Sequence, residues 1–271
     1  MKKILKGIKF IAVLILLISL LTPLQTVSAS SLEKTILPTV MEKDYKEMMS
    51  VIRKNVINGE SEESIAKLPE VEQFKKKYSE EQINLYLTSK VEGFKTKEFN
   101  GKINTSDEEK IEIGANGSAV IDYPDGSFAV VKSTTELDND NLITPMASYN
   151  GAPGSSWTST YEKEFWGVYL AARAVLVTKY TVYQSSINIT DTADSGSKGV
   201  FPTSLTLRGT SIVTDNATTV QSKGSYQKVN GVVIGGQPIG YSHAFTLRTT
   251  IKRTAYTSSK VYFSVTNTYE G

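Results

Sequence analysis

The chain has 271 residues, 39% hydrophobic and 21% charged, with a formal net charge of +2. That length and apolar fraction suit one large or two modest packed domains rather than disorder. Cysteine is absent and His243 is the single histidine, which excludes disulfides, thiol chemistry, cysteine-rich metal sites and paired-histidine mechanisms. No cofactor and no metal are expected.

The first residues read as an address rather than a fold. Lys2, Lys3, Lys6 and Lys9 precede an apolar run from Phe10 to Leu21, and Val27-Ser28-Ala29 has the small-residue spacing of a cleavage site. The apolar run is too short for a spanning helix, which needs about 20 residues. The expectation is a secretory signal peptide over 1–29 and a secreted mature chain.

Helical spacing follows. Met41, Tyr45, Met48, Ile52 and Val56 form one apolar stripe, and Asn58-Gly59 stops it. Pro69 suits a first helical turn ahead of Val71, Phe74 and Tyr78. Ser79-Glu80-Glu81-Gln82 reads as a capping box before Ile83, Tyr86 and Leu87. Composition changes near Gly93, and residues 110–132 read as a three-strand meander with turns at Asn116-Gly117 and Pro124-Asp125-Gly126. Asp107, Glu108, Glu109 and Glu112 cluster at its start without calcium-loop spacing, so a solvated edge is expected. Residues 30–135 are thus expected to form an acidic unit of helices and strands, which could serve as a pro-region.

The Asp, Asn, Pro, Gly and Ser of residues 136–157 read as an exposed, cuttable linker. Beyond it, residues 158–271 offer about eight candidate strands separated by turns such as Asn230-Gly231 and Gly235-Gly236. The pattern is clearest where Phe245, Leu247, Thr249 and Ile251 alternate with Thr246, Arg248, Thr250 and Lys252. A second case is Val261, Phe263 and Val265 between Tyr262, Ser264, Thr266 and Thr268. Phe165 to Val177 is read as strand, although its Leu170-Ala171-Ala172-Arg173-Ala174 core also suits a helical turn. The fold class expected is an α+β N-terminal unit followed by an all-β domain, a β-sandwich or partly closed β-barrel.

Charge divides with the domains. Residues 30–144 hold 15 Lys and Arg against 22 Asp and Glu, while residues 145–271 hold 11 against 6. An acidic front and a basic back predict either docking of the N- and C-terminal halves on one another or attraction of the back half to an anionic polymer or cell surface. The candidate binding residues are Arg208, Arg248 and Lys252 on polar strand faces, with Lys179 and Tyr183 joining from a neighbouring strand.

Catalysis is harder to motivate. A serine triad based on His243 lacks a G-x-S-x-G elbow, and Gly154-Ser155-Ser156 falls in the expected linker. A two-carboxylate glycan hydrolase would draw on Glu162, Glu164, Asp191, Asp194, Asp215 and Glu270. A pore-forming or antimicrobial protein would use Ser/Thr-rich alternating strands, which the segments 243–253 and 260–269 supply. Nucleic acid is not expected as a partner, because no basic cluster is interleaved with stacking aromatics. The leading expectation is a secreted, non-enzymatic, cell-wall- or surface-binding β-sandwich restrained by its acidic front.

Overall fold

The apolar stripe near the N-terminus makes a helix. In a computed structural model α1 spans Thr39–Ile57, α2 Glu62–Ala66 and α3 Pro69–Lys77. Met41, Tyr45, Met48, Ile52 and Val56 are all buried, and Gly59 takes the left-handed backbone (φ 83°) that ends α1. The capping box forms in both directions. Ser79 N donates to Gln82 Oε1 at 3.0 Å and Gln82 N to Ser79 Oγ at 3.2 Å. Tyr45 packs on Phe74 and Tyr86, with ring centroids 6.2 and 5.0 Å away, so the helices have a small aromatic core of their own.

The residues described are 39–83, 86, 111–123, 126–138, 149–200, 203–234 and 237–271, with backbone alone at 39–40, 111–112, 230–234 and 237–243. The expected signal segment, the 107–109 acidic cluster and positions 139–148 of the expected linker lie outside them. So does the His243 side chain.

Among the described residues twelve strands follow the helices: β1 Ile111–Gly114, β2 Ser118–Asp122, β3 Phe128–Leu137, β4 Tyr149–Gly151, β5 Ser155–Trp166, β6 Leu170–Val182, β7 Ile187–Asp194, β8 Lys198–Gly199, β9 Thr203–Thr214, β10 Thr219–Ile234, β11 Gln237–Tyr256 and β12 Val261–Glu270. They pair antiparallel into two sheets. Sheet A runs β1-β12-β11-β10-β9 with β4 also on β12, and sheet B runs β2-β3-β5-β6-β7 with β8 on β6. Helices at the N-terminus followed by a two-sheet β-sandwich is the fold class expected.

Two local expectations are corrected. Residues 111–132 are not a meander: β1 pairs with β12 in sheet A, whereas β2 and β3 pair in sheet B. The Asn116-Gly117 turn carries the chain from one sheet to the other, with Asn116 in the left-handed region at φ 54°. Residues 136–157 are not linker throughout. There β3 runs to Leu137 and β5 begins at Ser155, the two pair along their length, and Thr39–Gly271 is one compact unit. Leu170 to Val177 is extended, as its strand reading expects, with the chain bending at residues 167–169 between β5 and β6.

The inner faces decide the packing. Phe245, Leu247, Thr249 and Ile251 point inward with Val261, Phe263 and Val265, as their alternation predicts. One hydrophobic cluster gathers Val131, Tyr161, Phe165, Leu176, Tyr226 and Tyr269, and another gathers Trp157, Tyr180, Ile187, Ile251 and Phe263. Between them lies a belt of buried polar side chains. Thr178 Oγ1 meets Ser222 Oγ at 2.6 Å across the sheets, Asn267 Nδ2 donates to Ser133 Oγ at 2.6 Å, and Thr249 Oγ1 donates to Asn267 Oδ1 at 2.7 Å. Each bond satisfies groups whose burial alone would be costly.

The helices meet the sandwich through ion pairs on sheet B. Arg53 grips Asp122 of β2 at 2.6 and 2.8 Å, and Glu62 pairs with Lys198 of β8 at 2.5 Å.

Candidate functional site: a polar sheet face

Outward positions of sheet A carry hydroxyl, amide and cationic side chains. Pairing sets Lys223 of β10 directly opposite Arg248 of β11, Gln221 opposite Thr250, and Lys252 opposite Thr219 and Ser264. Thr250 in turn faces Thr266. The result is a hydroxyl-rich plane with cations in its middle rows, which can donate many hydrogen bonds while attracting negative charge.

The five binding residues expected from sequence do not make one face. Arg248 and Lys252 share the outer side of sheet A. Arg248 is, however, already paired. Its Nε and Nη2 donate to Glu270 at 3.1 and 2.9 Å and its Nη1 to Gln221 Oε1 at 2.7 Å, so Lys223, which sequence reasoning passed over, is its cationic neighbour. Arg208 sits at a register break between Leu207 and Gly209, where a bulge removes it from the regular alternation. Lys179 lies on β6 in the opposite sheet, facing Thr158 and Asp191, because β6 pairs with β5 and β7 rather than with any strand of sheet A. Tyr183 follows β6 at a turn and is 43% exposed.

At that turn the two sheets are joined at their ends. Gln184 Nε2 donates to both Thr257 O and Ser258 O at 3.0 Å, fastening the β6–β7 turn of sheet B to the β11–β12 turn of sheet A. The second turn closes on itself through Thr257 N to Lys260 O at 2.7 Å and Lys260 N to Thr257 Oγ1 at 3.0 Å. Arg253 pairs with inward Phe263 and Tyr256 with inward Val261, so both lie on the core side of sheet A where the core runs out. Tyr256 is 58% exposed, and the Arg253 guanidinium sits 4.9 Å from its ring centre. These residues were missed because strand alternation says nothing about which turns meet in space. The Ile-Lys-Arg-Thr-Ala-Tyr run ending a long strand was their available signal.

The carboxylates behave differently. Of the six considered, Glu162 and Glu164 converge, being two apart on the outer side of β5. Glu164 is buried and accepts from Arg173 Nη2 at 2.5 Å, Trp166 Nε1 at 3.0 Å and Lys132 Nζ at 3.1 Å. Burial pushes the Glu162 carboxyl up to about 7, helped by its hydrogen bond to Glu164 and that group's charge, while Arg173 and Lys132 oppose the shift. For Glu164 burial also pushes upward, yet hydrogen bonds from Glu162, Arg173 and Trp166 outweigh it and hold the group down at about 2. A pair that shares a hydrogen bond leaves no room between its members for a sugar, whereas glycosidase carboxylates stand roughly 5–9.5 Å apart. Elsewhere, Asp215 Oδ1 accepts from Ile189 N at 2.6 Å, Asp194 bonds Ser197, and Glu270 holds Arg248. Ser155 Oγ accepts from Trp157 Nε1 at 3.0 Å, which places it in a packing contact.

No protein-family model matches the chain, and no curated protein matches it. Among solved structures it is similar to a hypothetical protein of Listeria monocytogenes, at 15% identity over 58% of this chain and 99% of that one, with a TM-score of 0.24. Likeness at that level carries no argument, so the functional reading rests on the residues themselves.

Proposed function

We propose that this protein works outside the cell as a non-enzymatic binding β-sandwich, attaching to an anionic polymer or surface through the outer face of sheet A. The observation that carries the reading is the placement of Lys223, Arg248 and Lys252 among Gln221, Thr250, Ser264 and Thr266 on adjoining strands. Cations give attraction and the surrounding hydroxyl and amide groups give hydrogen bonds, the combination a phosphate- or carboxylate-bearing polymer requires. Arg248, held in a fork by Glu270, supplies orientation more than net charge. Two described ion pairs between the acidic helices and the sandwich, Arg53–Asp122 and Glu62–Lys198, fall on β2 and β8 of sheet B.

Pull-down of the mature chain with cell walls or with an anionic polymer tests the reading. A cation close to an anionic surface contributes about 1 kcal/mol, so Lys223→Glu with Lys252→Glu should weaken binding by at least about tenfold without unfolding the protein. Exposed charges act over roughly 8 Å at physiological salt, so binding should fall steeply as salt is raised. Binding that ignores both salt and charge reversal would overturn the assignment.

A further inference from the structure

Arg248 stands in a row of paired residues that crosses four strands of sheet A: Glu112 of β1, Thr268 of β12, Arg248 of β11 and Lys223 of β10. Its guanidinium is held on one side by Gln221. Nη1 donates to Gln221 Oε1 at 2.7 Å, and the Gln221 amide is itself fixed, donating from Nε2 to Thr250 Oγ1 at 3.0 Å. The edge formed by Nε and Nη2 remains, and that edge presents two parallel donors to an oxyanion. The Glu270 carboxylate fills it, accepting from Nε through Oε1 at 3.1 Å and from Nη2 through Oε2 at 2.9 Å.

Glu270 is an exchangeable occupant of that edge. It ends β12 and pairs with Thr246 at the last rung of the β11–β12 ladder, and its side chain is 45% exposed against 22% for Arg248. An ion pair so placed adds little to folding, while it keeps the guanidinium at the centre of the face satisfied by the chain's own carboxylate. Gln221 orients Arg248 independently of Glu270, so the fork persists when Glu270 leaves it. Two cations flank the fork. Lys223 is directly opposite on β10, and Lys252 is four residues further along β11, a distance of about 13 Å at strand rise.

Resting on the binding function proposed above, we infer that the Nε and Nη2 edge of Arg248 is the seat for a carboxylate of the bound polymer, and that Glu270 is an internal stand-in which the incoming carboxylate displaces. The seat already holds a carboxylate in two-point geometry, so a carboxylate-bearing polymer is the class it fits. Glu270 also sets a threshold for binding. A lone anion would exchange one carboxylate for another without gain, whereas a polymer that reaches Lys223 and Lys252 as well adds two attractions that Glu270 does not replace.

Titration calorimetry of the full mature chain with polygalacturonate oligomers at a fixed low salt concentration tests this, with polyphosphate as the comparison. Glu270→Ala should tighten oligomer binding by about threefold or more. Removing a negative charge from a basic face would by itself favour an anion, so the same change is also made in an Arg248→Gln background. There the gain should vanish, because the seat is gone. A gain that persists without Arg248, or no gain in Glu270→Ala alone, overturns the seat. Both side chains are partly exposed, and a retained thermal transition checks that the variants fold. Loss of binding in Lys223→Glu with Lys252→Glu, but no coupling between Arg248 and Glu270, overturns the seat and leaves the sheet-face reading standing. Tighter binding to polyphosphate than to polygalacturonate overturns the carboxylate assignment and likewise leaves the sheet face. A wild-type chain that binds neither polymer overturns both readings.

Discussion

Glu162 and Glu164 titrate in opposite directions, and the sign of each fixes how stability follows pH. Glu162 holds its proton up to about 7 when folded, against an ordinary value of 4.5. Between those limits the folded chain binds a proton that the unfolded chain has lost, so stability falls as pH rises. Glu164 is ionised down to about 2, so its contribution is gained as pH rises from there to the ordinary value. The pair's combined contribution therefore peaks near pH 4.5. Glu162→Gln keeps a donor for Glu164 and removes the alkaline loss, so it should stabilise the protein at pH 8 by about 1–2 kcal/mol after solvent screening and leave it unchanged near pH 4.5. Urea midpoints at the two pH values check this; a variant equally stable or less stable at pH 8 would contradict it. The polar belt makes a second residue-scale case. Asn267→Ala removes the partner of both Ser133 and Thr249, and stranding two buried hydroxyls should cost about 2–5 kcal/mol in urea unfolding. The inward placement of Thr249 was legible from its alternation with Leu247 and Ile251. Its partner was not, because a hydrogen bond between strands in different parts of the chain leaves no local pattern.

Strands and helices were legible wherever the pattern is local. The stripe of α1 and the Ser79–Gln82 box each depend on spacings within one turn of chain, and both formed as the spacing dictates. Pairing was not legible. Ile113 offers an apolar residue that serves either sheet, and the choice went to sheet A through Ala115 N to Val265 O. Residues 136–157 misled for a related reason: Thr135 and Leu137 continue β3 inward while the polar Glu136 and Asp138 face out, a half-buried edge that resembles a linker in composition. The edge strand β9 shows how the fold guards such exposure. Leu207, Ile212 and Val213 are 39–47% exposed along it, but register breaks beside Arg208 and Val213 bend the strand and spoil it as a template for further pairing. Where β8 leads toward β9 the backbones nearly touch. A Cβ at Gly199 would stand 2.5 Å from Leu205 N and 2.7 Å from the Ser204 carbonyl carbon, atoms that no rotamer change can move aside. Gly199→Ala should therefore cost about 1–3 kcal/mol and lower the melting temperature, while Gly154→Ala, with open space around its Cβ, should lose only what its φ of 87° demands.

At the scale of the molecule, the sandwich is closed by strands from both ends of its sequence. Phe128 to Leu137 lie along β5, and β1 and β4 share β12 as their partner. A fragment starting near Ser156 would keep most of the residues that read as the all-β domain yet lose β1 to β4. Its β5 would then expose a full ladder of unpaired backbone groups, and Asn267 would lose Ser133 from the middle of the core. A fragment of residues 111–271 keeps every strand and loses the helices, whose described ties to the sandwich include the surface ion pairs Arg53–Asp122 and Glu62–Lys198, each worth about 1 kcal/mol or less. The longer fragment should thus give a cooperative urea transition with β-type circular dichroism, and the shorter one should aggregate or melt without cooperativity. A cooperative transition from the shorter fragment would mean that β3 and β1 lie on the sandwich without completing it. In that case residues 136–157 would be a domain boundary after all, whatever their pairing.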